Sequence, residues 1–162
     1  MDTIHDLLKK LWKWMGNSDS WINLYTSELP TEPFCFPEFD VLQNQCIFKI
    51  NSSLSREDVK VFLLCLALDN EEERILDACK EEATDEFLTT LISNGIVFPR
   101  WEARWQMAEL LRRNIPCREY YLSVLLEDDN EYVRKRARNI VSTGEASFQQ
   151  DSRTGDGLRE PH

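Results

Sequence analysis

The chain has 162 residues, with 29 acidic against 19 basic side chains and a formal net charge of −10, which excludes the basic surface that a nucleic-acid binder relies on. Its length suits one domain, and 42% hydrophobic residues with 10% aromatics exclude wholesale disorder. Five Gly and six Pro are too few for a turn-rich β architecture, and abundant Leu, Glu, Arg and Ala favour helix.

The first predicted helix spans residues 3–15. Ile4, Leu7, Leu8, Leu11, Trp12 and Met15 recur at helical spacing, Thr3 or Asp2 caps the start and Gly16 ends it. An acidic first turn and lysines off the apolar stripe are unlike a secretory signal. Lys9, Lys10 and Lys13 beside tryptophans suit a membrane surface, yet a packed N-terminal helix fits an acidic chain better. No run approaches the roughly eighteen apolar residues of a membrane span, so a cytoplasmic protein without membrane contact is expected.

Residues 17–54 carry weaker signals. "SDSWINLYTSEL" reads as a second helix capped by Ser18 or Asp19, and Pro30, Pro33 and Pro37 make "PTEPFCFPEF" irregular. "QCIFKINSS" fits a short strand or a helix end, and periodicity does not choose. The signal returns at Ser55, whose hydroxyl can accept from the Asp58 N–H. This helix runs to Asp69, is apolar on nearly every side and is predicted to be buried. Cys35, Cys46, Cys65, Cys79 and Cys117 are odd in number without a C-x-x-C pair, and read as reduced core thiols. From about Thr143 the sequence is too poor in apolar side chains to order itself, so residues 143–162 are expected to be disordered.

Self-similarity organises the rest. Sliding the chain by thirty places "EYVRKRARNIV" on "WEARWQMAELL", with Arg134 on Arg104 and Ile140 on Leu110. A second slide places Arg104 on Arg74, and the acidic turn at Asp69-Asn70-Glu71 matches Asp129-Asn130-Glu131. Each unit reads as helix, short turn, helix. Such a pair cannot cover its own apolar stripe, but stacked pairs can. The recurring Arg then has a role in bridging to the acidic turn of an adjacent unit. Arg104 is expected to reach the Asp69–Glu71 turn, and Arg134 to lack an acid because Phe98-Pro99 replaces it.

The segment 100–141 resembles the short bacterial HEAT repeats, through Asp128 and Asp129 before Val133, Arg134 and Ala137, and through "PRWEARW" before Arg104. The likeness is weaker over 55–99, where Glu73 takes the Val position, and absent over 1–54. It implies an all-α fold: an α-solenoid of about three helical pairs over 55–142 behind an N-terminal helical cap over 1–54. Asp69, Arg74, Arg104, Asp128, Asp129 and Arg134 would form its ladder.

Nothing in the sequence suggests catalysis. His5 and His162 have no partner in sequence, and no phosphate-cradling Gly loop or metal-ligand spacing occurs, so no cofactor is expected. Residues 69–86 hold nine acids and two bases. Glu71, Glu72, Glu73, Asp77, Glu81, Glu82, Asp85 and Glu86 are therefore candidate contacts for a basic protein. Trp101 and Trp105 read as core or seam packing, or as aromatic anchors of a binding face beside Arg104. A short acidic HEAT-like protein resembles the immunity proteins that neutralise a basic toxin, many of them nucleases. The other expectation is a HEAT-like lyase or scaffold subunit that positions a small molecule or an enzyme.

Overall fold

A computed structural model describes the backbone of residues 1–153 and the side-chain surroundings of residues 1–144. Among these residues the fold is all-α, with no strand.

Helix α1 (Ile4–Trp14) starts as the sequence indicates. The Thr3 hydroxyl accepts from the Asp6 N–H while the Asp6 carboxylate accepts from the Thr3 N–H, a reciprocal capping box. Gly16 follows the helix at φ +92°, a conformation that costs glycine little. The next predicted helix is only a 3-10 turn, Trp21–Tyr25, capped by Ser20 rather than by Ser18 or Asp19. Asp19 instead accepts from the Trp12 indole N–H at 3.0 Å and from the Asn23 amide at 2.7 Å. The proline-rich stretch contains a second 3-10 turn, Pro33–Cys35. The ambiguous segment after it is the end of a helix, α2 (Phe39–Phe48).

Six helices then follow. They are α3 (Arg56–Leu68), α4 (Arg74–Glu82), α5 (Asp85–Gly95), α6 (Trp101–Leu110), α7 (Arg118–Leu126) and α8 (Glu131–Arg153). Ser55 caps α3 through the Asp58 N–H at 3.1 Å, and Val59 together with Val61–Leu68 is fully buried. Helices α3 and α6 are the hub. Helix α3 packs on α2, α4, α5 and α6, and α6 packs on α3, α4, α5, α7 and α8. Gln106, fully buried on α6, donates to the Leu66 carbonyl at the end of α3 at 2.7 Å. Gly95 lets α5 approach α6, since a Cβ there would collide with the Met107 side chain.

Two expectations change. The segment expected to be disordered from Thr143 continues α8 to Arg153, while residues 154–162 lie outside the described residues. All five cysteines are free, but only Cys46, Cys65 and Cys79 are core thiols, and Cys35 and Cys117 are exposed. Cys117 caps α7 at φ +62°, which turns the chain into that helix and leaves the residue at the surface.

Candidate functional site

The acidic stretch divides into two groups at opposite ends of α4, a nine-residue helix about 14 Å long. Glu71 and Glu72 are exposed in the turn before it, and Glu73 is its left-handed N-cap at φ +57°. Asp77, Glu81 and Glu82 are exposed on the helix, and Asp85 and Glu86 open α5. Few cations answer them. Lys80 stands 3.9 Å from Asp77, and Arg113 stands 3.6 Å from Asp85. Glu71, Glu72, Glu81, Glu82 and Glu86 have no ion pair among the described residues. Glu81 and Glu82 also occupy the last turn of α4, where the negative end of the helix dipole opposes a carboxylate by about 0.3–1 kcal/mol each. Arg113 partly compensates by donating to the Lys80 and Ala83 carbonyls that the helix end leaves open.

Of the three recurring arginines only Arg104 reaches the carboxylates of an acidic turn among the described residues, and it points the other way from the expectation. It reaches forward to the α7–α8 turn and not back to Asp69. Its Nε donates to Asp128 Oδ2 at 2.8 Å, its Nη2 to Asp128 Oδ1 at 3.1 Å and to Asp129 Oδ1 at 2.9 Å, and its Nη1 to the Phe98 carbonyl at 2.9 Å. The reason is packing: α6 lies against α8, so the nearest acidic turn is the one that opens α8. Burial alone would raise the Asp128 carboxyl, but the Arg104 guanidinium and the Asn130 N–H outweigh it and hold the carboxyl below its usual range.

Asp69 is engaged elsewhere. It is 1% exposed, accepts from the Ile75 N–H at 2.7 Å to cap α4, and accepts from the Gln43 amide at 2.6 Å. Burial pushes its carboxyl up to about 6, against the opposing effect of those hydrogen bonds. Arg74 reaches back to α2, donating to Gln43 Oε1 at 2.6 Å and Asn44 Oδ1 at 2.8 Å. Among the described residues the Arg134 guanidinium donates only to the Asp128 carbonyl, at 2.5 Å. Where Phe98-Pro99 replaces the acid, Arg100 donates to the Leu24 carbonyl at 2.8 Å and Phe98 meets the edge of Tyr25.

The two tryptophans have separate roles. Trp105 is 3% exposed and belongs to the core, so it is not a surface anchor. Trp101, 38% exposed, meets Tyr132 of α8 edge-on at 5.8 Å. Tyr132 also lies edge-on to Trp105, and the Arg136 guanidinium stacks over Trp105 at 4.7 Å. Beneath it Glu109, 5% exposed, pairs with Arg112 at 2.8 Å and with Arg136 at 3.3 Å. The sequence reading missed Tyr132, Arg136 and Glu109. The available signal was the Tyr132–Arg136 spacing of four, which puts an aromatic and a cation on one helix face.

No group of His, Cys, Asp or Glu among the described residues is placed to hold a metal ion, and no described helix is long and apolar enough to cross a membrane. No protein-family model matches the chain, and neither does any curated protein or solved structure.

Proposed function

We propose that the chain is a non-catalytic protein-docking module: a short α-solenoid of HEAT-like helix pairs whose acidic surface around α4 receives and neutralises a basic protein, in the manner of an immunity protein acting on a toxin. The packing order supports the solenoid. The second helices follow one another, α2 against α4, α4 against α6 and α6 against α8, and α3 lies against α5.

The observation that carries the functional reading is the placing of Glu81 and Glu82. They are exposed, lack ion pairs and sit against the dipole of their own helix. Local stability gives no reason for carboxylates there, whereas attraction of a basic partner does.

Replacing Glu71, Glu72, Glu81 and Glu82 by Gln tests this. The partner is the basic protein that co-purifies with the parent chain. Its association rate with the variant should fall and lose most of its salt dependence as the Debye length shrinks from about 30 Å at 0.01 M to about 8 Å at 0.15 M. The same variant should be no less stable in urea. An unchanged rate at low salt, with stability intact, refutes the acidic-docking reading.

A further inference from the structure

The loop that joins α2 to α3 and the start of α5 enclose a cleft of about 230 Å³. We infer that this cleft receives the side chain of one lysine, its ammonium held by Glu86, Ser53 and Thr90 and its aliphatic stem laid on an apolar floor. The owner of that lysine is the basic partner of the acidic-docking reading, on which the inference rests.

The cleft is built before any guest arrives. Asn51, in the left-handed region at φ +68°, clamps its two walls together. Its Nδ2 donates to the Glu82 carbonyl at 2.8 Å, and its Oδ1 accepts from the Thr84 N–H at 2.8 Å. The Thr84 hydroxyl in turn accepts from the Phe87 N–H at 3.2 Å and caps α5. Loop and helix are therefore tied at one end, and a guest has less ordering to cause.

Floor and rim differ in chemistry. Val59, Phe87 and Leu91 are buried beneath the cleft, and Leu54 is half-buried beside them. A lysine can cover such a surface with its methylenes while its head stays among polar groups. Three rim groups have no hydrogen bond or ion pair of their own among the described residues: the Glu86 carboxylate and the Ser53 and Thr90 hydroxyls. Thr90 serves Ser93 and Asn94 only through its carbonyl. Glu86 and Thr90 are four apart on α5 and share one face of it. Three acceptors match the three donors of an ammonium, whereas a guanidinium carries five in a rigid plane.

Size and surroundings turn other guests away. The cleft is smaller than the roughly 300–1,000 Å³ of sites for drug-sized molecules, so it suits one side chain. Glu86 is the one charged residue lining it among the described residues, so an anion would meet a carboxylate with no cation to offset it. The N-terminus of α5, which would favour an anion, is already served by Asp85 and Glu86. A wholly apolar guest would strip water from the three rim groups and return no hydrogen bond. Because Glu82, Asp85 and Glu86 belong to the acidic surface, the cleft opens at its edge, where a basic protein would arrive.

The test needs the full chain and the acetyl N-methylamides of lysine, norleucine and arginine. The readout is the shift of the Thr84, Glu86 and Thr90 amide signals in ¹H–¹⁵N spectra. The lysine derivative should shift them saturably, with a dissociation constant on the order of 10 mM. Norleucine keeps the stem without the ammonium and should bind roughly tenfold more weakly, and arginine should bind no more tightly than lysine. Glu86→Gln should bring lysine down to the norleucine level, and Thr90→Val should weaken it about threefold. Glu127→Gln, which removes the same charge from the exposed end of α7 outside the cleft, should leave it unchanged. No saturable shift, equal binding of lysine and norleucine, tighter binding of arginine, indifference to both Glu86→Gln and Thr90→Val, or an equal loss in Glu127→Gln would each overturn the inference. The docking reading fails separately, through an unchanged association rate of the variant at Glu71, Glu72, Glu81 and Glu82, which keeps Glu86 in place.

Discussion

Arg104→Met is the most informative single change in the fold. The Arg104 side chain is 12% exposed and Asp128 only 6%. Four hydrogen bonds leave the guanidinium, three of them to carboxylate oxygens. Removing it strands the Asp128 carboxylate, which keeps only the Asn130 N–H at 2.9 Å, and opens the Phe98 carbonyl. Breaking a buried pair from one side costs about 3–5 kcal/mol, most of it the desolvation of the charge left behind. With a urea slope of about 2 kcal/mol/M, the unfolding midpoint should fall by roughly 1.5–2.5 M. Arg134→Met removes one bond to a neutral carbonyl and should cost about 0.5–1.5 kcal/mol. A double-mutant cycle with Asp128→Asn should show a coupling above about 1.5 kcal/mol, since Asn no longer presents a stranded charge. pH adds a check. The Asp128 carboxyl is held low in the folded state, so its contribution is present above the unfolded value of about 3.9 and is lost as pH falls through the lowered value. Without Arg104 the stranded carboxyl takes up a proton earlier, so the gap between variant and parent should narrow from pH 7 to pH 4. Equal losses at Arg104 and Arg134, or additive effects of Arg104→Met and Asp128→Asn, would refute this account.

Asp69 should behave in the opposite sense. Its folded value of about 6 lies above the unfolded one, so the parent gains stability as pH falls from about 7 towards 4, by up to about 3 kcal/mol; urea midpoints of Asp69→Asn should lack that rise. Trp105→Ala should cost about 3–5 kcal/mol, and Trp101→Ala under about 1.5 kcal/mol, by thermal or urea unfolding, because only the first leaves a buried cavity. Gly95→Ala should destabilise by about 1–3 kcal/mol despite the better helix propensity of Ala, and adding Met107→Ala should cost less than the sum of the two single changes, since Met107 is what the new methyl meets.

The helices from Ser55 onward were legible because their signals are local. Ser55 is a side-chain cap, α3 is apolar all round, and the thirty-residue slide located the starts of α4, α6 and α8. Residues 17–54 were not legible, because short 3-10 turns lack periodicity and are set by long-range partners such as Arg100 on the Leu24 carbonyl. The tail reading failed on helix propensity. Glu145, Ala146, Gln149 and Gln150 favour helix by propensity, and an apolar count ignores them. At the candidate sites, the exposure of the acids followed from their run in sequence. Core packing was one of two readings for the tryptophans, but which of them is buried did not follow, because Tyr132 and Arg136, which cover Trp105, come from another helix.

The direction of the ladder was also hidden, and its cause ties the halves of the chain together. The thirty-residue register continues one step further back than the Arg signal, from Arg134, Arg104 and Arg74 to Asn44. Asn44 lies on α2, and beside it Gln43 donates to Asp69 as Arg104 donates to Asp128. Both contacts run forward, from α2 to the acid in the α3–α4 turn and from α6 to the acid in the α7–α8 turn. An amide in place of a guanidinium brings no positive charge, and that accounts for the different electrostatics of the two acids. Asp128, paired with a cation, is held low. Asp69, paired with an amide and an N–H, is pushed up by burial. Corresponding turns, with donor and acid each one residue out of register, therefore give an acid-labile contact before α8 and an acid-tolerant one before α4. A Gln43→Arg substitution should lower the Asp69 value and abolish the gain in stability on acidification, and it should leave the pH response of the Arg104–Asp128 pair unchanged.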